Sequence, residues 1–196
     1  MRKAFQKIKR ITLRKRSYRV VLVSKLGSEE NPIYGDCSNP NIPNRTIRYL
    51  SGLKGEKRLD VLIHEMLHAC FWDISEESIE ESSSDVARAL WRFGWHMNDE
   101  EGYKGKSVKY ILLRGKKYKH ERISGLKTGI NGEVSSPYTK NKIIHIRVSL
   151  KGEKEICQYI TYMLYACLWD FDEVPIQETS KDVARALIRI GYIKNK

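Results

Sequence analysis

Two stretches decide the organisation of this 196-residue chain: LKGEKRLDVLIHEMLHACFWD at 53–73 and LKGEKEICQYITYMLYACLWD at 150–170. They align without a gap at an offset of 97 residues. The same offset relates DVARALWRFGW at 85–95 to DVARALIRIGY at 182–192. Because self-similarity at a fixed period marks repeated structural units, the sequence predicts two tandem copies of one fold.

The first copy indicates how each unit is built. Residues 8–24 are rich in Ile, Val and Leu with partial alternation, which predicts two strands, and residues 45–50 predict a third. Apolar residues then recur at helical spacing, which predicts a helix over 56–71. Either Asp73 or Ser75 can cap a second helix with its own apolar stripe. Strands followed by helices predict the α+β class.

The predicted boundary between the copies is a polar stretch, 96–107, which contains two glycines and is typical of a linker. It divides the chain into domains 1–99 and 103–196. Each domain is expected to hold a small sheet of about three strands followed by two α-helices. Because each half can bury only a small core, we expect a monomer in which the domains pack as an intramolecular pseudo-dimer.

The first copy contains His64-Glu65-Met66-Leu67-His68, an HExxH motif. Residues four apart on a helix lie one above the other, so both imidazoles can bind one metal ion while Glu65 deprotonates metal-bound water. Chance occurrences lie on exposed helix faces, but here Glu65 is the one charged residue in the run 61–70. Since two histidines in an apolar helix need a polar partner, the sequence predicts a catalytic Zn²⁺ site.

The following helix is rich in carboxylates and supplies candidates for a third ligand. Its stretch Glu81-Ser82-Ser83-Ser84-Asp85 resembles, in register, the E-x-x-S/A-D motif of the gluzincin metallopeptidases, the thermolysin-like class. The resemblance implies that Glu81 is the third metal ligand and that Asp85 orients a ligand histidine. The whole unit also resembles the small SprT-like or minigluzincin proteins that bacteriophages often encode, and those are zincin folds.

The second copy lacks the motif, so we expect it to fold as a degenerate zincin-like unit without catalysis. Because Glu80 is lost together with the histidines, it remains an alternative to Glu81 as the third ligand. An exposed face of ion pairs would also explain Glu81 and Asp85, which are both retained. The aligned positions are Thr161 for His64, Tyr162 for Glu65, Tyr165 for His68, Gln177 for Glu80, Glu178 for Glu81 and Asp182 for Asp85.

Basic residues outnumber acidic ones by 36 to 24, and residues 101–196 carry +9 of the net charge of +12. Residues 1–28 also contain ten Lys or Arg and no acidic residue. In the second copy, basic side chains are interleaved with tyrosines, a composition that suits phosphates and bases. Lysines that prevent aggregation of edge strands would give the same pattern. The candidate nucleic-acid-binding residues are Lys116, Lys117, Lys119 and Arg122.

These features predict a zinc-dependent, metallopeptidase-like hydrolase with one active site in the first copy, Glu65 as the catalytic residue and a peptide or protein substrate. By family analogy, residues 45–50 would form the edge strand beside the cleft, where an extended substrate can add to the sheet. The alternative is a non-catalytic basic protein that binds nucleic acid or a host protein and keeps a vestigial or structural metal site.

The four cysteines form no CxxC pair, which fits a reducing compartment. No run approaches the roughly 20 apolar residues of a membrane helix, and the basic N-terminus lacks the apolar segment of a signal peptide. We therefore expect a cytoplasmic protein with no membrane partner, in the host cytoplasm if a phage encodes it.

Overall fold

The computed structural model describes residues 9–103, 105, 108–124, 126 and 131–194, and its fold is α+β. The first eight residues of the basic N-terminus and part of the predicted linker lie outside that range. The first repeat contains, in order, β1 (Lys9–Leu13), β2 (Arg16–Val23), β3 (Gly35–Cys37), β4 (Thr46–Leu50), α1 (Gly55–Cys70), α2 (Glu76–Arg92) and β5 (Trp95–Met97). The second contains β6 (Tyr110–Leu113), β7 (Lys116–Ile123), β8 (Gly132–Val134), β9 (Ile143–Arg147), α3 (Gly152–Cys167), α4 (Glu173–Ile190) and β10 (Tyr192–Lys194).

Each repeat has a four-stranded sheet, in the order β1-β2-β4-β3 in the first and β6-β7-β9-β8 in the second. Three strands were predicted; the additional strand, β3 or β8, has only three residues and is too short to show an alternating pattern. The predicted edge strand is wrong. Residues 45–50 contain β4, which pairs with β2 on one side and β3 on the other, so β3 is the edge strand on that side of the sheet.

The helices of the first repeat lie close to their predicted positions. Ser75, rather than Asp73, caps α2, because its hydroxyl accepts a hydrogen bond from the backbone N–H of Ser78 at 3.4 Å. After α2, Gly94 has a φ of +89°, a left-handed conformation that favours glycine. α1 packs against α2 and against β3 and β4. This packing places one face of α1 beside the edge of the sheet.

The β1–β2 turn of the first repeat docks on α4 of the second. Asp182 accepts a hydrogen bond from the backbone N–H of Arg14 at 2.8 Å, and the Arg14 guanidinium lies 3.5 Å from Glu178. Arg14 and Lys15 have φ values of +46° and +63°, as a two-residue type I′ turn requires. A carboxylate of one repeat therefore holds the tight turn of the other.

The reverse contact has the same arrangement. Asp85 on α2 accepts a hydrogen bond from the backbone N–H of Arg114 at 2.6 Å, and the Arg114 guanidinium lies 2.6 Å from Glu81. Asp85 aligns with Asp182, and Glu81 aligns with Glu178. The two repeats therefore bind each other through a pair of equivalent contacts between a turn and a helix.

The repeats also share a sheet and a core. β5 pairs antiparallel with β10, with His96 opposite Ile193, so the beginning of the predicted linker is a strand. Phe93 stacks on Tyr159 with ring centroids 4.5 Å apart. One contiguous cluster of buried apolar side chains includes residues from both repeats. Burial of the core in each repeat therefore depends on the other.

We expect Asp182→Ala to lower the free energy of unfolding by about 1–3 kcal/mol, because it leaves a backbone N–H at the docked turn without its acceptor. Urea denaturation followed by circular dichroism measures this change. Asp170→Ala, at an exposed position in the same repeat, is the control and should change stability by less than about 0.5 kcal/mol. Equal stability of the two variants would contradict the role of the turn contact.

Candidate metal centre

Three side chains of the first repeat converge on one point. His64 and His68, one turn apart on α1, have their Nε2 atoms 3.0 Å from each other. Glu76 extends from the first turn of α2, with Oε1 3.1 Å from His64 Nε2 and Oε2 3.0 Å from His68 Nε2. Within the described part of the chain, these three form the one group of His, Cys, Asp or Glu suited to holding a metal ion.

Local structure explains why these residues meet. The apolar residues around the two histidines on α1, among them Leu62, Ile63 and Met66, are fully buried and fix the helix in the core. The short connection after Cys70 then brings the first turn of α2 opposite the histidines. The His64 and His68 side chains are only 20% and 17% exposed, whereas that of Glu76 is 69% exposed. The centre is therefore anchored on the α1 side and open on the α2 side.

The chemistry of this group fits a zinc ion. Two imidazole nitrogens and one carboxylate oxygen are donors that Zn²⁺ takes in catalytic sites, where a fourth position stays open. Burial lowers the pKa of His64 below its ordinary value of 6.5, and the neighbouring His68 lowers it further. The neutral imidazole, which is the form that binds metal, is therefore favoured at neutral pH.

The structure does not bring the predicted third ligand to the histidines. Glu81 instead pairs with Arg114 at the contact between the repeats, and Asp85 accepts from Arg114 and Arg88. Successive helical residues are about 100° apart, so Glu81 lies about 140° around the axis from Glu76 and faces elsewhere. The stretch 81–85 therefore matches the family motif in sequence, but its first and last residues contact Arg114 of the second repeat and not the histidines.

Glu80, the alternative ligand, lies one turn from Glu76 on the same face of α2 and lines the adjoining cleft. Sequence comparison between the copies could not reveal Glu76, because its counterpart Glu173 is also a glutamate. The sequence feature that could have indicated Glu76 is the helix cap, because Ser75 begins the helix and places Glu76 in its first turn. A carboxylate at that point can extend back across the short turn toward α1.

Glu65 lies under the edge strand β3 and is 6% exposed. A Cβ atom on Gly35 of that strand would come within 2.7 Å of Glu65 Oε1 and 2.6 Å of Val61 Cγ1, so only glycine leaves room for the carboxylate. Burial, together with the nearby charges of Asp36 and Glu76, raises the pKa of Glu65 from its ordinary 4.5 to about 8. A carboxyl with this pKa can both accept and release a proton near neutral pH.

The second repeat keeps the framework but fills it differently. Tyr162 occupies the position of Glu65, and its hydroxyl donates to the backbone oxygen of Gly132 at 2.7 Å. Gly132, the counterpart of Gly35, gives Tyr162 the same close approach to the edge strand. Thr161 and Tyr165 donate to backbone oxygens instead of facing a common point.

A cleft of about 300 Å³ opens beside His64, Glu65 and Glu76. Asp60, one turn before His64, accepts hydrogen bonds from the Ser83 and Ser84 hydroxyls at 3.2 and 3.1 Å. Lys57 pairs with Asp60 at 3.1 Å and lies over the Tyr34 ring. Exposed Tyr34 precedes β3 directly, so one wall of the cleft is the sheet edge.

The predicted nucleic-acid-binding residues of the second repeat already have partners. Lys119 pairs with Glu121, while Arg122 pairs with buried Glu155 and donates to the backbone oxygen of Val148. The other two residues lie over aromatic rings, Lys117 over Tyr110 at 4.2 Å and Lys116 over Tyr138 at 4.8 Å. These cations are therefore partly neutralised or engaged within their own sheet.

Comparison with protein-family models, with curated proteins and with solved structures found no match to this chain. Within the described residues, no helix combines the length and apolar character needed to cross a bilayer.

We expect the purified protein to bind one Zn²⁺, and Glu76→Gln to weaken this binding at least tenfold because a charged ligand is lost. Glu81→Gln is the matched control and should leave the affinity within about twofold. Competition with a chelator, read by atomic emission of the retained metal, measures both. A large loss in Glu81→Gln with none in Glu76→Gln would restore the ligand set that the family resemblance implies.

Glu65→Gln should stabilise the metal-free protein at neutral pH. The folded pKa of about 8 exceeds the ordinary 4.5, so the folded state binds more protons and the stability of the native protein falls as pH rises between these values. Glutamine removes this loss, and we expect a gain of about 1–3 kcal/mol at pH 7.5 and little change at pH 4.5. Urea unfolding at both pH values tests it, with exposed Glu30→Gln as the control.

Proposed function

We propose that the protein is a zinc-dependent hydrolase of the metallopeptidase kind, with its active site in the first repeat. The observation that carries the proposal is the convergence of His64, His68 and Glu76 on one point beside buried Glu65 in an open cleft. A purely structural metal would need no adjacent carboxyl of raised pKa and no accessible side.

The residues would act in distinct ways. When bound by His64, His68 and Glu76, Zn²⁺ would polarise a peptide carbonyl and lower the pKa of water. Glu65, held under β3, would take a proton from a water molecule in the cleft and pass it to the amine leaving group. Burial and the charges of Asp36 and Glu76 raise its pKa to about 8, so both the ionised and the protonated carboxyl are populated near neutral pH.

We propose a peptide or protein as the substrate because the cleft runs beside a free sheet edge. β3 pairs with β4 on one side only. The unpaired main-chain groups of β3 can accept an extended peptide as an added strand. Such a peptide would pass over Gly35 and present a carbonyl toward Glu65 and the histidines.

We further propose that each repeat is a zincin-like unit, as the resemblance to SprT-like proteins implies, and that only the first is active. The reciprocal turn-to-helix contacts support a monomer in which the second repeat takes the place of a partner copy. The unlike residues at the second cleft, Thr161, Tyr162 and Tyr165, support a scaffold role there.

The test is hydrolysis of a mixed peptide library, analysed by mass spectrometry, by the zinc-loaded protein. Glu65→Gln should lower the rate at least 100-fold while zinc content is unchanged, because only the proton transfer is lost. Tyr162→Phe changes the equivalent position of the second repeat and should leave the rate unchanged. Zinc-loaded protein that cleaves no library peptide would overturn the proposal and favour a binding protein with a structural metal.

A further inference from the structure

We propose that the first hairpin, together with the helix of the second repeat on which it docks, binds the phosphate backbone of nucleic acid. The surface consists of the outer face of the β1–β2 hairpin and the groove where its turn meets α4; we call it the hairpin surface. Its hairpin belongs to the first repeat, whereas sequence composition favoured the hairpin of the second; α4, which completes the groove, belongs to the second repeat. The inference is independent of the proposed hydrolase activity.

The groove of the hairpin surface is rich in cations that lack carboxylate partners. It has a volume of about 500 Å³ and contains two acidic residues. Glu178 pairs with Arg14, while Asp182 accepts from the Arg14 backbone N–H and also pairs with Arg185, which pairs with Glu153 as well. No carboxylate pairs with Lys15 or Lys181 anywhere in the part of the chain that the structure describes. The groove residues are Thr12, Arg14, Lys15, Arg16, Glu178, Lys181, Asp182 and Arg185.

The outer face of the hairpin continues this positive surface. Arg10 lies directly opposite Arg19 in the antiparallel pair, and Thr12 lies opposite Ser17. Like charges in directly opposed positions destabilise a sheet, and neither arginine has an acidic partner among the described residues. A second depression of about 200 Å³ adjoins this pair and includes Arg45. An anionic ligand would relieve the repulsion that the fold alone leaves in place.

The second repeat shows that the fold does not need these charges. Its hairpin has Tyr110 at the position of Arg10, and Lys119, the counterpart of Arg19, pairs with Glu121. Ser84 replaces Lys181 on the corresponding helix. In the turn of the first hairpin, Lys15 adopts a φ of +63°, whereas the second copy has a glycine at that position. The first repeat therefore keeps a lysine where the backbone favours glycine.

The donor chemistry indicates phosphodiester groups. Guanidinium groups such as those of Arg10 and Arg19 match phosphate oxygens in a bidentate manner. The hydroxyls of Thr12 and Ser17, between these arginines and the groove, are also common donors to phosphates. A chain with a net charge of +12 attracts a polyanion over long distances. Together these groups form a continuous surface for a nucleic-acid backbone.

The experiment compares two triple variants with the same change in charge. Arg10→Gln, Arg19→Gln and Lys181→Gln alter the hairpin surface, and Lys116→Gln, Lys117→Gln and Lys119→Gln alter the second hairpin as the matched control. Fluorescence anisotropy with a labelled 20-nucleotide DNA strand and with the corresponding duplex measures binding across a range of salt concentrations. Labelled polyglutamate of similar charge serves as the probe for an acidic protein.

We expect the hairpin-surface variant to lose at least tenfold in affinity and about 2–3 in the slope of log affinity against log salt, because three phosphate contacts are lost. The control should lose less than threefold. Equal losses in the two variants, absence of binding at about 50 mM salt, or equal affinity for polyglutamate would each overturn the proposal. If the triple variant does not fold, Lys181→Gln alone, at an exposed helix position, tests the groove. We expect it to lose at least twofold in affinity, and an unchanged affinity would contradict the proposal.

Discussion

The rest of the structure depends on one interaction made twice: a helix carboxylate of each repeat accepts a backbone N–H from the hairpin turn of the other. Asp85 and Asp182 make these contacts at 2.6 and 2.8 Å. Each carboxylate accepts the hydrogen bond of a backbone N–H in a turn that belongs to the other repeat. Because apolar side chains of both repeats form one cluster, the two contacts fix the relative position of units that share a core.

Because α2 contacts the second repeat, its different faces make different contacts. Asp85 and Glu81 face the second repeat and bind Arg114. Glu76 and Glu80 lie on another face, toward α1 and the cleft. A carboxylate engaged with Arg114 is not free to approach the histidines, so the carboxylate that lies beside them is Glu76, at the start of the helix. This also explains why Glu81 and Asp85 persist in a copy that has lost the HExxH residues.

The offset of 97 residues predicted the duplication, and local spacing predicted the helices and the position of the two histidines one turn apart. The carboxylate that lies beside the histidines could not be predicted that way, because the direction in which the short turn points α2 decides which of Glu76, Glu80 and Glu81 approaches them. The edge strand was missed for a related reason: β3 has three residues, and its neighbour β4 carries the stronger pattern. Charge composition indicated a nucleic-acid-binding surface on the second repeat. Composition alone does not show that Lys119 pairs with Glu121 or that Arg122 pairs with Glu155.

The docking of β1 has a consequence for the order of events during synthesis. Lys9 donates to the backbone oxygen of Ile190, 181 positions later, and Arg14 needs Asp182. A growing chain therefore completes the sequence of α1 long before the surface on which its first hairpin docks exists. Contacts so distant in sequence form late and slowly. The docked arrangement of the first hairpin can form only after α4 has been synthesised, so the second copy sets the moment at which the first is complete.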